Sequence, residues 1–414
     1  MIRRLFAGLL IAFTIGAAPH RAHAPKAVAS FTLPDLPLLP GSVVPVDVDG
    51  LAPPYDIDVL GPGRFSAGEY WVPGDVDGSA TVVAAGTNAL AMRSVTFAPP
   101  PNAQEPFLAV ASYDDGVIFH DAAPPFVKHA VLGVGGAPSD VAIDPSGAIA
   151  AAATNGTIAA IAKLQPWNVS TYSGVPFTDE VAFDPTTHAL YASNRDVNGA
   201  GAITRIGADG TIRQRVLGLT AEGIAVDPRR RRIYVANVND GTISIVDADS
   251  LVELRRFNAV PRVFSLALSS DGSRLYAVSN QSITSPFGAA GSALAIDVSH
   301  DVPRIVARTR ALSFPLGVAV DDLHHHLFVT DEHDDDVYVF DSRTMRPAHA
   351  PLTTCRTPWK PLVDGGRLYI PCARSNDVDV IETTSLKRLS GAPFATGGYP
   401  LAVAVWHPHS SVVR

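Results

Sequence analysis

Two cysteines, three methionines and four tryptophans are all that 414 residues hold of these types, and only 17% of the chain is charged. The chain has no Cys-x-x-Cys-His for covalent haem, no His-Glu-x-x-His, no Gly-x-Ser-x-Gly and no phosphate-cradling glycine loop; Gly133 to Gly136 merely end a strand. An excess of positive charge is missing too. The formal net charge is −8, and losing Arg3, Arg4 and Arg21 with a leader would make the remainder more acidic, which argues against nucleic acid as a partner. A long hydrophobic run is also lacking, because the apolar stretch at residues 5–18 falls short of the roughly 20 residues that span a bilayer. Arg3 and Arg4 before it and Ala22-His23-Ala24 after it instead predict a secretory signal over 1–24, and no cysteine follows to carry a lipid anchor. The expected product is periplasmic or secreted, monomeric, and without a membrane span.

What the chain does contain is core material, at 47% hydrophobic residues and a mean hydropathy of +0.17. Residues 224–257, IAVDPRRRRIYVANVNDGTISIVDADSLVELRRF, read as four short strands rich in Val, Ile and Tyr, separated by Asp-Pro, Asn-Asp-Gly and Asp-Ala-Asp turns. Their first strand recurs as VAIDP from Val141, VAFDP from Val181, IAVDP from Ile224, LALSSDG from Leu266, VAVDD from Val318, PLVDGG from Pro361 and VAVWHP from Val403. Successive starts lie 40, 43, 42, 52, 43 and 42 residues apart. The second strand recurs as LYASN, IYVAN, LYAVS, LFVTD and LYIPC. Four strands per 40 to 45 residues is the signature of a β-propeller. The last unit has only its first strand, whereas residues 107–132 look like strands two to four without a first. Seven blades, closed by a C-terminal strand slotting into an N-terminal sheet, are therefore expected.

These phrases, above all GIAVDPRRRRIYVANVNDGTISIVDADSLVELRRF and GVAVDDLHHHLFVTDEHDDDVYVFDSRTMRP, resemble the YVTN-type repeat of bacterial extracytoplasmic seven-bladed propellers, the YncE-like group. The resemblance covers residues 106–414 and implies the fold. It says little about chemistry, because that fold hosts lyases, lactonases, quinoproteins and plain binding scaffolds.

Ahead of the propeller, residues 25–40 are Pro-rich and read as an extended spacer. Residues 41–99 leave the propeller period yet carry five or six strand-like runs, as an Ig-like β-sandwich would; an extra, degenerate blade is the competing reading. The 52-residue spacing comes from a Ser/Gly/Pro-rich insertion at 280–291, either a lip over a binding site or a neutral length change. Cys355 and Cys372 should lie near one face, and an exported protein with two cysteines favours a disulfide.

Three groups could carry chemistry. Asp140, Glu180 and Glu222, with Asp179, stand where the chain enters the innermost strands at the channel mouth, and Asn194 and Asn237 at adjacent strand ends could add oxygens. Converging carboxylates suit Ca²⁺ or another divalent cation, and propeller lactonases of the gluconolactonase type bind metal in such a mouth. A solvated acidic rim is the plainer alternative. Asp331, His333 and Asp334 form a second possible cation site, against a simple acidic turn. His324, His325 and His326 align with Arg230, Arg231 and Arg232 on the first-to-second-strand turn, which suggests a solvated tip. The expected function is a non-catalytic binding or scaffold module, without a cofactor, that takes a small molecule or protein on one propeller face. The alternative is a metal-assisted hydrolase or lactonase using the channel-mouth acids.

Overall fold

A computed structural model describes residues 29–51, 53–87, 89–153, 159–164, 167–172, 177–196, 198–281 and 290–408. The expected signal at 1–24 and most of the 280–291 insertion lie outside these residues. Every regular element among them is a β-strand, and none is a helix long and apolar enough to cross a membrane.

Residues 224–257 form the unit that their pattern predicts. Ala221–Asp227, Arg232–Asn237, Thr242–Asp247 and Glu253–Asn258 pair antiparallel in that order. The first turn is built locally: the Asp227 carboxylate accepts the backbone N–H groups of Arg229 and Arg230, and Arg231 turns the chain with φ 52°. Asp184 with His188, and Asp321 with His325, repeat the device, which is why the Asp stays in the motif while the residues after it vary.

Alternate side chains of Arg232–Asn237 point to opposite faces, and both faces are covered. Tyr234 and Ala236 pack with Leu266 and Leu275 of the following unit, whereas Ile233 and Val235 pack with Tyr191 and Ile203 of the preceding one. Each fully buried aliphatic side chain contributes about 1.5–3 kcal/mol, so the units hold one another. Seven such four-stranded antiparallel sheets occur among the described residues. Their innermost strands touch in succession from Pro138–Ile143 to Pro400–Trp406, and Pro400–Trp406 touches Pro138–Ile143 again, giving a propeller-like ring.

The ring closes through the two chain ends. Pro400–Trp406 pairs antiparallel with Phe107–Ser112, placing Val403 opposite Val110, Ala404 opposite Ala109 and Trp406 opposite Phe107.

Before the ring lie two three-stranded sheets and a two-stranded ribbon. Leu38, Val44, Tyr70, Val82 and Val95 share one core with Ile118 and Val131 of the first four-stranded sheet. The stretch expected to be an extended spacer supplies Leu33 and Leu38 to this packing and Leu39 to the neighbouring core with Phe107 and Phe119, and the Leu39 N–H donates to the Val131 carbonyl at 2.9 Å.

Cys355 and Cys372 are bonded, with Cα atoms 5.7 Å apart and a sequence separation of 17. Unfolded without reductant, the protein should titrate no free thiol. Reduction should lower stability by about 3 kcal/mol, read as a shift of the urea midpoint.

Candidate functional site

Six of the seven innermost strands break register at the same place: between Pro138 and Asp140, Thr178 and Val181, Ala221 and Ile224, Val263 and Ser265, Pro315 and Val318, and Pro400 and Ala402. Ahead of several of these breaks the chain passes through the left-handed region, at Thr220, Arg262 and Tyr399 with φ of 57°, 54° and 56°. Bulges bend a strand and re-aim its side chains. With six strands so bent, the residue two before each of the seven repeat anchors lines a common cavity of about 200 Å³. Ser139, Asp179 and Glu222, from three consecutive sheets, make one wall; Phe264, Leu316, Trp359 and Leu401, from the other four, make the opposite one. The cavity is acidic on one side and apolar on the other.

The residue just before each anchor supplies Asp140, Glu180, Ser265 and Lys360. Gly223 and Gly317 occupy this position in two other units, where a Cβ would collide with the Phe264 carbonyl and the Pro361 ring. Lys360 reaches the acids from a unit distant in sequence, its Nζ lying 2.8 Å from Asp140 Oδ2 and 3.1 Å from Glu180 Oε2. Each acid is also tied to the next inner strand: Asp140 accepts the Val181 N–H and Glu180 accepts the Ile224 N–H, both at 3.0 Å. Burial would lower the ammonium pKa of Lys360, but the Asp140 and Glu180 charges outweigh it and hold the group protonated. Burial raises Glu180, and Lys360 opposes that rise.

Asp179 and Glu222 are less well compensated. Burial pushes Asp179 up to about 7 against the pull of Arg195, whose Nε stands 3.3 Å away, while Glu180 pushes it the same way as burial. Glu222 is raised well above the usual carboxyl range by burial and by the Asp179 charge, with Arg195 and Arg262 pulling it down. No hydrogen bond or ion pair reaches its carboxylate among the described residues. Ser265, only 2% exposed, presents a hydroxyl with no hydrogen-bond partner among them.

The candidate acids Asp140, Glu180 and Glu222 thus come together with Asp179, while the two asparagines stay apart from them. Asn194 donates to Thr178 and accepts from Thr204; Asn237 donates to Thr242 and Ser244; neither lines the cavity. Lys360, Arg195, Trp359 and Ser265 were not visible as site residues in the sequence. Lys360 had a signal, for it precedes Pro361 just as Asp140 precedes Val141 and Glu180 precedes Val181.

In the second candidate group, Asp331 is buried and accepts the backbone N–H groups of Ser313, Phe314 and His333. Asp334 accepts the hydroxyls of Ser313 and Tyr338, and His333 stacks on Phe314 with ring centroids 5.0 Å apart. These acids brace a turn against the preceding connection. His324 stands 2.7 Å from Asp321 and bonds Thr384 of the next unit. Cys355, Cys372 and Asp377 place potential metal donors together, but the two sulfurs are joined to each other.

A pH dependence follows. Carboxyls whose pKa is raised on folding favour the fold at low pH, and that contribution fades as pH climbs through the folded value. From Asp179, with a folded pKa of about 7, and Glu222, the melting temperature should fall between about pH 5 and pH 8. Glu222→Gln should flatten the slope and raise the pH 8 value; an unchanged slope in both Glu222→Gln and Asp179→Asn would remove this assignment.

No family model matches the chain, and no curated protein matches it. Over 73% of its length it is similar in structure to a functionally unknown protein from Desulfotomaculum acetoxidans, at 15% identity, 99% coverage of that chain and a TM-score of 0.60. Over the same share it is similar to a protein from Lactobacillus plantarum (13% identity, 100% of that chain, TM-score 0.59). It is also similar to the periplasmic gluconolactonase of Pseudomonas aeruginosa over 73% of its length (13% identity, 99% of that chain, TM-score 0.59). At such identities the likeness is one of fold, all-β and propeller-like.

Proposed function

We propose that the chain is a seven-bladed β-propeller of the YVTN-repeat, YncE-like type, preceded by an Ig-like sandwich over 41–99, exported after loss of 1–24, and acting as a binding module for a small ligand. The observation that carries this reading is the cavity itself. The repeat brings seven residues to one cavity, where an acidic wall that includes Glu222, without a cation of its own, faces an apolar one. Such a wall is costly to leave buried and gains when a ligand satisfies it. In a thermal-shift panel of small amines, polyols, organic acids and metal ions, at least one class should raise the melting temperature, and Trp359→Ala should remove most of that rise while the variant remains folded. A panel without any shift, or a shift untouched by Trp359→Ala, would refute the cavity as the site.

The second reading, a metal-assisted hydrolase or lactonase, draws on Asp179, since a carboxyl with a pKa of about 7 suits a general base at neutral pH. A divalent cation would be held by Asp140, Glu180 and Glu222, yet the Lys360 ammonium already stands between the first two. Calcium or zinc is therefore expected to leave the melting temperature unchanged. A metal-dependent rise that Glu180→Gln abolishes, together with lactone hydrolysis, would favour the hydrolase.

A further inference from the structure

Resting on that reading of the cavity, we propose that its ligand is an organic amine bound as the ammonium, its charged end on Glu222 and Asp179 and its apolar body against Phe264, Leu316 and Trp359. The distribution of charge selects the sign. Asp140 and Glu180 share the Lys360 ammonium, and Asp179 has the Arg195 guanidinium 3.3 Å away. Glu222 has no cation of its own, because Arg262, the nearest further one, donates its Nε–H to Asn280 Oδ1 at 3.0 Å. An anionic ligand would find both cavity cations engaged and would face the acids. A cationic ligand supplies the missing partner, and the buried Ser265 hydroxyl can accept a second N–H from it.

The opposite wall selects an organic cation over a metal ion. A hard divalent cation gathers six to eight oxygens in the case of calcium, and Phe264, Leu316, Trp359 and Leu401 supply none from their side chains. The same wall removes apolar carbon from water. At about 30 Å³ per water-sized group, 200 Å³ accommodates a body of roughly seven non-hydrogen atoms.

Proton balance makes the proposal measurable. Glu222 is faced by Asp179 and Glu180 from the preceding sheet, by Arg195 from the second strand of that sheet, and by Arg262 at the start of the next inner strand. Burial and the Asp179 charge both favour its protonated form in the empty cavity. An arriving R–NH₃⁺ favours the carboxylate, so the carboxyl proton leaves to solvent and one proton is released per ligand bound.

Benzylamine and its neutral isostere benzyl alcohol, titrated calorimetrically at pH 6 and pH 8 in buffers of different ionisation heat, test this directly. Benzylamine should bind at least tenfold tighter than the alcohol and should release close to one proton at pH 6. Its affinity should rise by up to about tenfold per pH unit while that release persists. Glu222→Gln, close to isosteric, should melt at the same or a higher temperature. It should lose both the proton release and most of the preference for amine over alcohol. Equal binding of amine and alcohol, or binding without proton release, overturns the amine and leaves the cavity as the site. Binding of neither probe also overturns the amine, and the cavity reading falls with it if the broader ligand panel is silent too.

Discussion

Lys360→Met is expected to lower stability by about 3–5 kcal/mol, the usual cost of leaving buried charge without its partner, with the lower end favoured because 28% of the lysine side chain stays exposed. The substitution keeps the aliphatic stem and deletes only the ammonium. Asp140 and Glu180 would then repel each other with nothing between them except the Val181 and Ile224 N–H groups. The loss should appear as a lower guanidinium midpoint at pH 7.5 and should shrink at pH 5, because burial already raises Glu180 and favours its protonation. Asp140→Asn combined with Glu180→Gln in the Lys360→Met background should recover most of it, since a neutral hydrogen-bonding set of the same shape carries no charge to compensate. Calcium should stabilise Lys360→Met more than the parent protein, because the substitution vacates the place between two carboxylates. A midpoint for Lys360→Met equal to that of the parent would show that the bridge contributes nothing.

The second large effect concerns closure of the ring. Removing residues 400–414 would strip Phe107–Ser112 of its partner, leaving an unpaired edge beside Val110 and Phe107. Such an edge recruits other chains, so the truncated protein should aggregate or unfold without a sharp transition in light scattering and calorimetry. A point substitution gives a graded version. Trp406, 6% exposed and 6.3 Å from the Phe107 ring, donates its indole N–H to the Ala103 carbonyl. Trp406→Ala should destabilise by about 3–5 kcal/mol. A soluble truncation melting at the parent temperature would mean that the two chain ends do not hold each other.

Much of this architecture could be read along the chain because its causes are local. The Asp-Pro turns at Asp184 and Asp227 close through hydrogen bonds two and three residues away, and the alternation in IYVAN predicts a strand whichever sheet it joins. Repetition extends this, since a unit whose sheet is apolar on both faces must stack on copies of itself. The pairing of Phe107–Ser112 with Pro400–Trp406 was legible for the same reason: one end lacked a strand and the other had one to spare.

The site was legible only in part. The repeat already lined up Asp140 with Glu180 and Asp179 with Glu222, and they do converge. That alignment could not say which side chains a bulge would turn inward, and Asn194 and Asn237, at strand ends that look open in the sequence, spend their amides within their own sheets. Nor could it show that Lys360, 220 residues from Asp140, reaches it past the one inner strand that lies between their units. Turns and strands are set by neighbours along the backbone, whereas the charge balance of the cavity is set by groups that only ring closure makes neighbours. The sequence by itself therefore determined the repeated sheet and the acids it carries. The tertiary structure alone decided that two of those acids are neutralised by a lysine of a distant unit, while Glu222 is left facing Trp359 and Phe264 without a counter-charge.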